Sequence, residues 1–102
     1  MRLYETLLLL DAARPDADID AAITRVSGLV TERGGTIENT DRWGRRRLAY
    51  EIGGQNEGYY TVLTYSIDPT HRSEIDEALP FVEGLVRAKT VVPAERTRGV
   101  SK

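Results

Sequence analysis

The chain of 102 residues contains no cysteine. That excludes disulfide staples, thiolate metal sites and a cysteine nucleophile, and it fits a reducing compartment. Histidine occurs once, at position 71. One imidazole without thiolates cannot supply the usual zinc set, so His71 reads as a solvated helix residue. The acidic run Asp16, Asp18, Asp20 has neither the loop glycine nor the distal glutamate of a calcium-binding hand. It suits a helix start better. There is no long apolar run of the ~18 residues that a membrane span needs. Glu5 interrupts the first leucines and Asp11 stops the rest, so "MRLYETLLLLDAARP" does not read as a signal peptide. A Walker-type loop and a G-x-S-x-G elbow are also missing. The expectation is a soluble, cytoplasmic protein with no metal, no cofactor, no membrane partner and no small-molecule substrate.

A surplus of charge is missing too. Lys and Arg number 14 against 16 Asp and Glu. The cations are nevertheless gathered in two places. "DRWGRRRLAY" holds Arg42, Arg45, Arg46 and Arg47, and the segment from Leu85 onward holds Arg87, Lys89, Arg96, Arg98 and Lys102 against one acid, Glu95. A balanced total does not prevent a local anion-binding surface. Guanidinium groups fit phosphate and stack on ring planes. The plain alternative is an edge strand kept soluble by charge. In a regular strand Arg45 and Arg47 share one face and Arg42 and Arg46 the other, so a bulge at Gly44, or local acids pairing one face, is expected.

The length suits one domain with a single modest core. "LYETLLLL" predicts a strand, ended by Asp11 and Pro15. "DADIDAAITRVSGLVTERGG" predicts a helix with Ile19, Ile23, Val26 and Val30 along one face, acids at its start and Gly34-Gly35 as its stop. "TIENTDRWGRRRLAYEI" reads as a long strand or two pieces joined at Gly44, and "YYTVLTYSI" as the best strand in the chain. Asp68 and Pro69 open a second helix carrying Ile75, Ala78 and Leu79, which Pro80 ends or kinks. "LVRAKTVV" predicts the last strand, with Val86, Ala88, Thr90 and Val92 inward and Arg87 and Lys89 outward.

The order β-α-β-β-α-β is that of the α+β, ferredoxin-like split unit: a four-stranded antiparallel sheet with two helices on one face. The domain is expected over residues 1–93, with a polar tail over 94–102. Leu7 and Leu9 oppose Leu8 and Leu10, and Tyr60 and Val62 oppose Tyr59, Thr61 and Leu63. Two helices on one side leave the second apolar face for a partner.

"MRLYE", "WGRRRLAYEI", "GYYTVLTYSI" and "VRAKTVV" together resemble the family of bacterial small-subunit ribosomal protein six, over nearly the whole chain through Val92. The resemblance implies a ribosomal protein without enzymatic activity. It would bind the central domain of small-subunit rRNA as a heterodimer with small-subunit ribosomal protein eighteen, on ribosomes of the bacterial cytoplasm or of an organelle of bacterial descent. Arg2 and Tyr4 match the N-terminal motif; Arg45, Arg46, Leu48, Ala49 and Tyr50 the central one; Arg87 the arginine before the last strand. Arg47 and Lys89 join them as neighbouring cations. The chain departs from the family at Pro80, where an arginine is usual, and at Lys89-Thr90. The alternatives on this fold are an acylphosphatase-like enzyme and a small-molecule regulatory domain.

Overall fold

The computed structural model describes residues 1–52 and 54–93. The expected tail, 94–102, lies outside the described residues. The elements follow the predicted order: β1 (Arg2–Asp11), α1 (Asp16–Thr31), β2 (Thr36–Ile52), β3 (Gln55–Ile67), α2 (Arg72–Ala78) and β4 (Leu85–Val91). The strands form one sheet in the order β2-β3-β1-β4, with every neighbouring pair antiparallel. This is the ferredoxin-like α+β architecture.

The core lies between α1, α2 and one face of the sheet. From α1 it takes Ile19, Ala22, Ile23, Val26, Leu29 and Val30. From the sheet it takes Tyr4, Leu8 and Leu10 of β1 and Leu63, Tyr65 and Ile67 of β3. The α1 set is the predicted stripe widened by Ala22 and Leu29, which lie within one helical turn of its members. Asp68 caps the second helical region as expected, accepting from the Thr70 backbone N–H at 3.0 Å and from its hydroxyl at 3.0 Å. Those bonds favour the ionised carboxyl and hold its pKa below the ordinary value. Pro80 falls in a 3-10 turn, Leu79–Phe81, and the α-helix ends at Ala78.

Register shifts set which side chains face which way. Glu38, Trp43 and Val86 are the extra residues at three of them, in β2–β3 and β1–β4, and a fourth lies between Arg47 and Ile52 near the hairpin end. The shift at Val86 corrects the expected inward row of β4. Ala88 stands opposite Leu8 and Thr90 opposite Thr6, on the helix side. Beyond the bulge Leu85, rather than Val86, pairs with Leu10, and Val86 is left exposed.

A polar chain crosses the core side of the sheet. The Thr6 hydroxyl bonds the Tyr65 hydroxyl and the Thr90 hydroxyl, each at 2.8 Å, which satisfies three groups in one line. Burial raises the Tyr65 pKa above its ordinary 10.0, and the bonds to Thr6 and Thr90 partly oppose the shift. Thr61 Oγ1, also buried, has no hydrogen-bond partner among the described residues.

Two stability predictions follow from this layer. Thr61→Val removes an unpaired buried hydroxyl at nearly constant volume, and is expected to raise unfolding stability in urea by about 1 kcal/mol; a loss would show that the hydroxyl is bonded. For Tyr65, the unfolded phenol deprotonates near pH 10 while the buried one keeps its proton. Stability is therefore expected to fall as pH rises above about 10, through the raised folded pKa. The Tyr65→Phe variant should lack that component of the decline in parallel urea titrations.

Candidate nucleic-acid and partner interface

The bulge at Trp43 reorganises the arginine cluster. Gly44, at φ +87°, takes the left-handed backbone the bend requires. Arg42 is in register with Thr61 and Arg45 with Tyr59. Both β3 residues face the helices, so the extra residue brings Arg42 and Arg45 to the same side. There they meet α1. Arg42 Nη2 pairs with Asp20 Oδ1 at 2.6 Å, and Arg45 Nη2 with Asp16 Oδ1 at 2.9 Å. Both guanidinium groups lie over the Tyr59 ring, 5.4 and 5.7 Å from its centroid, and Arg42 Nε donates to the Tyr59 hydroxyl at 3.0 Å. The bonds to Asp20 and Tyr59 raise the Arg42 pKa. Arg45 also donates to the carbonyls of Ala12 and Arg14. The aspartates read as a helix start in the sequence are thus ion-pair partners that tie the edge strand to α1.

Arg46 and Arg47 go elsewhere. Arg46 is in register with Gly58, on the face that none of the described helices covers, the helix-free face. Its Nε and Nη2 donate to the Trp43 carbonyl at 3.4 and 3.3 Å, and it pairs with no carboxylate among the described residues. Arg47 stands opposite Glu57 and is exposed.

The helix-free face carries an apolar groove of about 450 Å³. Leu7, Leu9 and Tyr60 form its floor, and Leu48, Tyr50 and Ile52 of β2 one wall. Arg87 and Lys89 of β4 rim the other side, opposite Leu9 and Leu7 in the ladder. The strand order places β2 and β4 at opposite edges of the sheet. Yet Arg87 Nη1 donates to the Tyr50 hydroxyl at a long 3.5 Å. The end of the β2–β3 hairpin therefore arches over β3 and β1. Gly58 permits this, because Leu9 and Leu48 fill the space a side chain there would need.

Of the residues expected to make contacts, Leu48, Tyr50, Arg87 and Lys89 are brought together around this groove, and Arg46 shares its face. Arg45 and Arg47 lie on the helix side of β2. Arg2, at the start of β1, is exposed. Tyr4 is placed apart from all of them. It is a core residue, 3% exposed, its ring 6.1 Å from that of Tyr65 and overlaid by the Arg72 guanidinium at 5.2 Å. The sequence reading did not single out Ile52 or Tyr60 as lining residues. The doubled apolarity of the strands was the signal for them.

Comparison with known proteins decides the family. The model of the family Ribosomal protein S6 matches residues 3–92. The chain belongs to the ribosomal protein S6 family. It is 39% identical over 93 residues to the small ribosomal subunit protein bS6 of Clostridium novyi, covering 91% of this chain and 98% of that one. A crystal structure of the 30S ribosomal protein S6 of Thermotoga maritima superposes with a TM-score of 0.85 at 27% identity, over 99% of this chain and 98% of that one. The C-terminal domain of the MgtC protein of Mycobacterium tuberculosis shares the fold at 13% identity, covering 89% of this chain and 86% of that one, with a TM-score of 0.51. The fold alone thus carries no function here; the S6 match over most of the sequence does.

Arg42 and Asp20 are 40% and 58% exposed at their side chains, so water screens their attraction. A double-mutant cycle of Arg42→Ala and Asp20→Ala is expected to give a coupling of roughly 0.2–1 kcal/mol in low salt. It should shrink in 1 M salt. A coupling of zero in low salt would remove the pair as a tie between β2 and α1.

Proposed function

We propose that this chain, a ribosomal protein of the small subunit, binds the central domain of small-subunit rRNA together with small-subunit ribosomal protein eighteen, and does no chemistry itself. The observation that carries this reading is the helix-free face. It offers an apolar groove of about 450 Å³ bordered by cations, Arg87 and Lys89, with Arg46 on the same face. Apolar floor and cationic rim suit a composite partner: a protein surface to cover the leucines and aromatics, and polyanion to meet the guanidinium groups.

The acylphosphatase-like alternative needs an anion cradle of outward N–H groups before the first helix. That loop instead turns the carbonyls of Ala12 and Arg14 to the guanidinium of Arg45. It receives a cation where the enzyme would need to receive an anion.

The test is a salt titration of RNA affinity, using the chain with its protein partner and a central-domain rRNA fragment. Each cation that neutralises a phosphate contributes about 0.7–0.9 to the slope of log K against log salt. Arg46→Ala and Arg87→Ala are each expected to flatten the slope by about that amount. Arg42→Ala, whose guanidinium is committed to Asp20, should leave it nearly unchanged. Equal slopes for all four proteins would take the helix-free face off the RNA. Failure of the unaltered pair to bind the fragment would refute the proposed function itself.

A further inference from the structure

The arginine cluster contains the single tryptophan of the chain. Trp43 is the extra residue of the bulge, so its side chain is not fixed by a place in the ladder. It is 42% exposed, a large apolar area left to solvent. Its orientation is nevertheless defined. The indole N–H donates to Asp41 Oδ2 at 2.9 Å. The ring leans on Tyr60, with centroids 6.3 Å apart and planes at 39°, within the range of favourable aromatic pairs. Tyr60 pairs with Leu9 on the helix-free face, so Trp43 lies on that face too, as the continuation of the groove to the edge of β2. Arg46 is bonded to the carbonyl of the same tryptophan.

We propose that Trp43 and Tyr60, beside Arg46, form a stacking site for one unpaired base of the RNA. The inference rests on the reading of the chain as an rRNA-binding protein and assigns it a specific contact. Three physical requirements of such a site are present. The first is an exposed ring, held at its polar edge so that stacking costs little side-chain freedom. The second is a neighbouring aromatic that buttresses it. The third is a cation with no carboxylate partner among the described residues, in place for the phosphate adjoining the base. Stacking on an aromatic side chain is tolerant of base identity, because every base has a π-face. Unpaired bases splayed from loops and bulges are the parts of an RNA that can reach it. A protein side chain suits the floor of the groove between β2 and β4 better, where Leu7 and Leu9 dominate.

Because Trp43 is unique, its fluorescence reports the site directly. A tryptophan-free form of the protein partner is added first, then the central-domain rRNA fragment. The partner is expected to leave the Trp43 emission unchanged, and the RNA to quench it. Trp43→Ala should weaken RNA binding about 5- to 150-fold, the range for loss of one stacked base. Trp43→Phe, which keeps a ring and guards against misfolding of the alanine variant, should retain most of the affinity. Three outcomes overturn the proposal: wild-type RNA affinity in Trp43→Ala, an unquenched emission when RNA is bound, or quenching complete on addition of the protein partner alone. The last would make Trp43 a protein contact. All three leave rRNA binding standing, whereas a wild-type pair that fails to bind RNA removes both readings.

Discussion

The sheet must bury two faces with helices enough for one. Both β1 and β3 carry large apolar side chains on each side, and α1 and α2 occupy one of them. On the other face Leu9 and Val62 still reach 7% exposure, although neither α1 nor α2 lies there. Their cover comes from the neighbouring side chains and from the long β2–β3 hairpin folded over the sheet. That cover is partial. Leu48, Tyr50 and Ile52 wall a groove instead of filling it, because a two-stranded hairpin end cannot supply the bulk of a helix. The candidate surface is thus a by-product of how the second apolar face is half satisfied. The remaining apolar area favours association, through the same hydrophobic term that holds the core.

Charge is arranged around that constraint. Of the four clustered arginines, Arg42 and Arg45 are engaged by Asp20 and Asp16, and they brace an edge strand of seventeen residues against α1. Surface pairs of this kind contribute little each. Two of them sharing one tyrosine ring, however, hold the middle of β2 where the groove wall begins. Arg46 is released to the opposite face by the same one-residue bulge that brings Arg42 to the helix side. The bulge therefore divides the run: Arg42 and Arg45 brace the strand against α1, and Arg46 stands on the opposite face. A regular strand would have mixed them.

Much of this was legible in the sequence, and the rest was not for definite reasons. Element order, helix faces and the unsatisfied second face follow from periodicity, which is local. A bulge at Gly44 was foreseeable, since a glycine inside an arginine-rich strand has few other uses. Its effect on Arg42 was not, because that depends on which residue is extra, and the ladder fixes Trp43. The same holds for Val86. Alternation predicts it inward, and a bulge in β4 turns it out. Tyr4 shows the opposite limit. A motif places it among contact residues, but its position on β1, across from Tyr65, buries it. Motif membership records what a family keeps and does not separate a ring kept for packing from one kept for recognition.

That distinction also bears on Trp43. A ring retained for the core is expected to be buried and to bring its polar edge to an internal partner, as Tyr65 does with Thr6. Trp43 has the partner without the burial: Asp41 fixes the indole edge while 42% of the residue stays in water. Exposing that much aromatic surface is unfavourable for the isolated chain. Fixing its orientation as well lowers the entropy lost when a flat ligand arrives. Tyr50, 64% exposed at the far end of the hairpin and held by a long bond to Arg87, has the same combination. The two rings lie on the same long strand, one at its bulge and one on its arch. They give the helix-free face two oriented aromatic positions joined by an apolar floor.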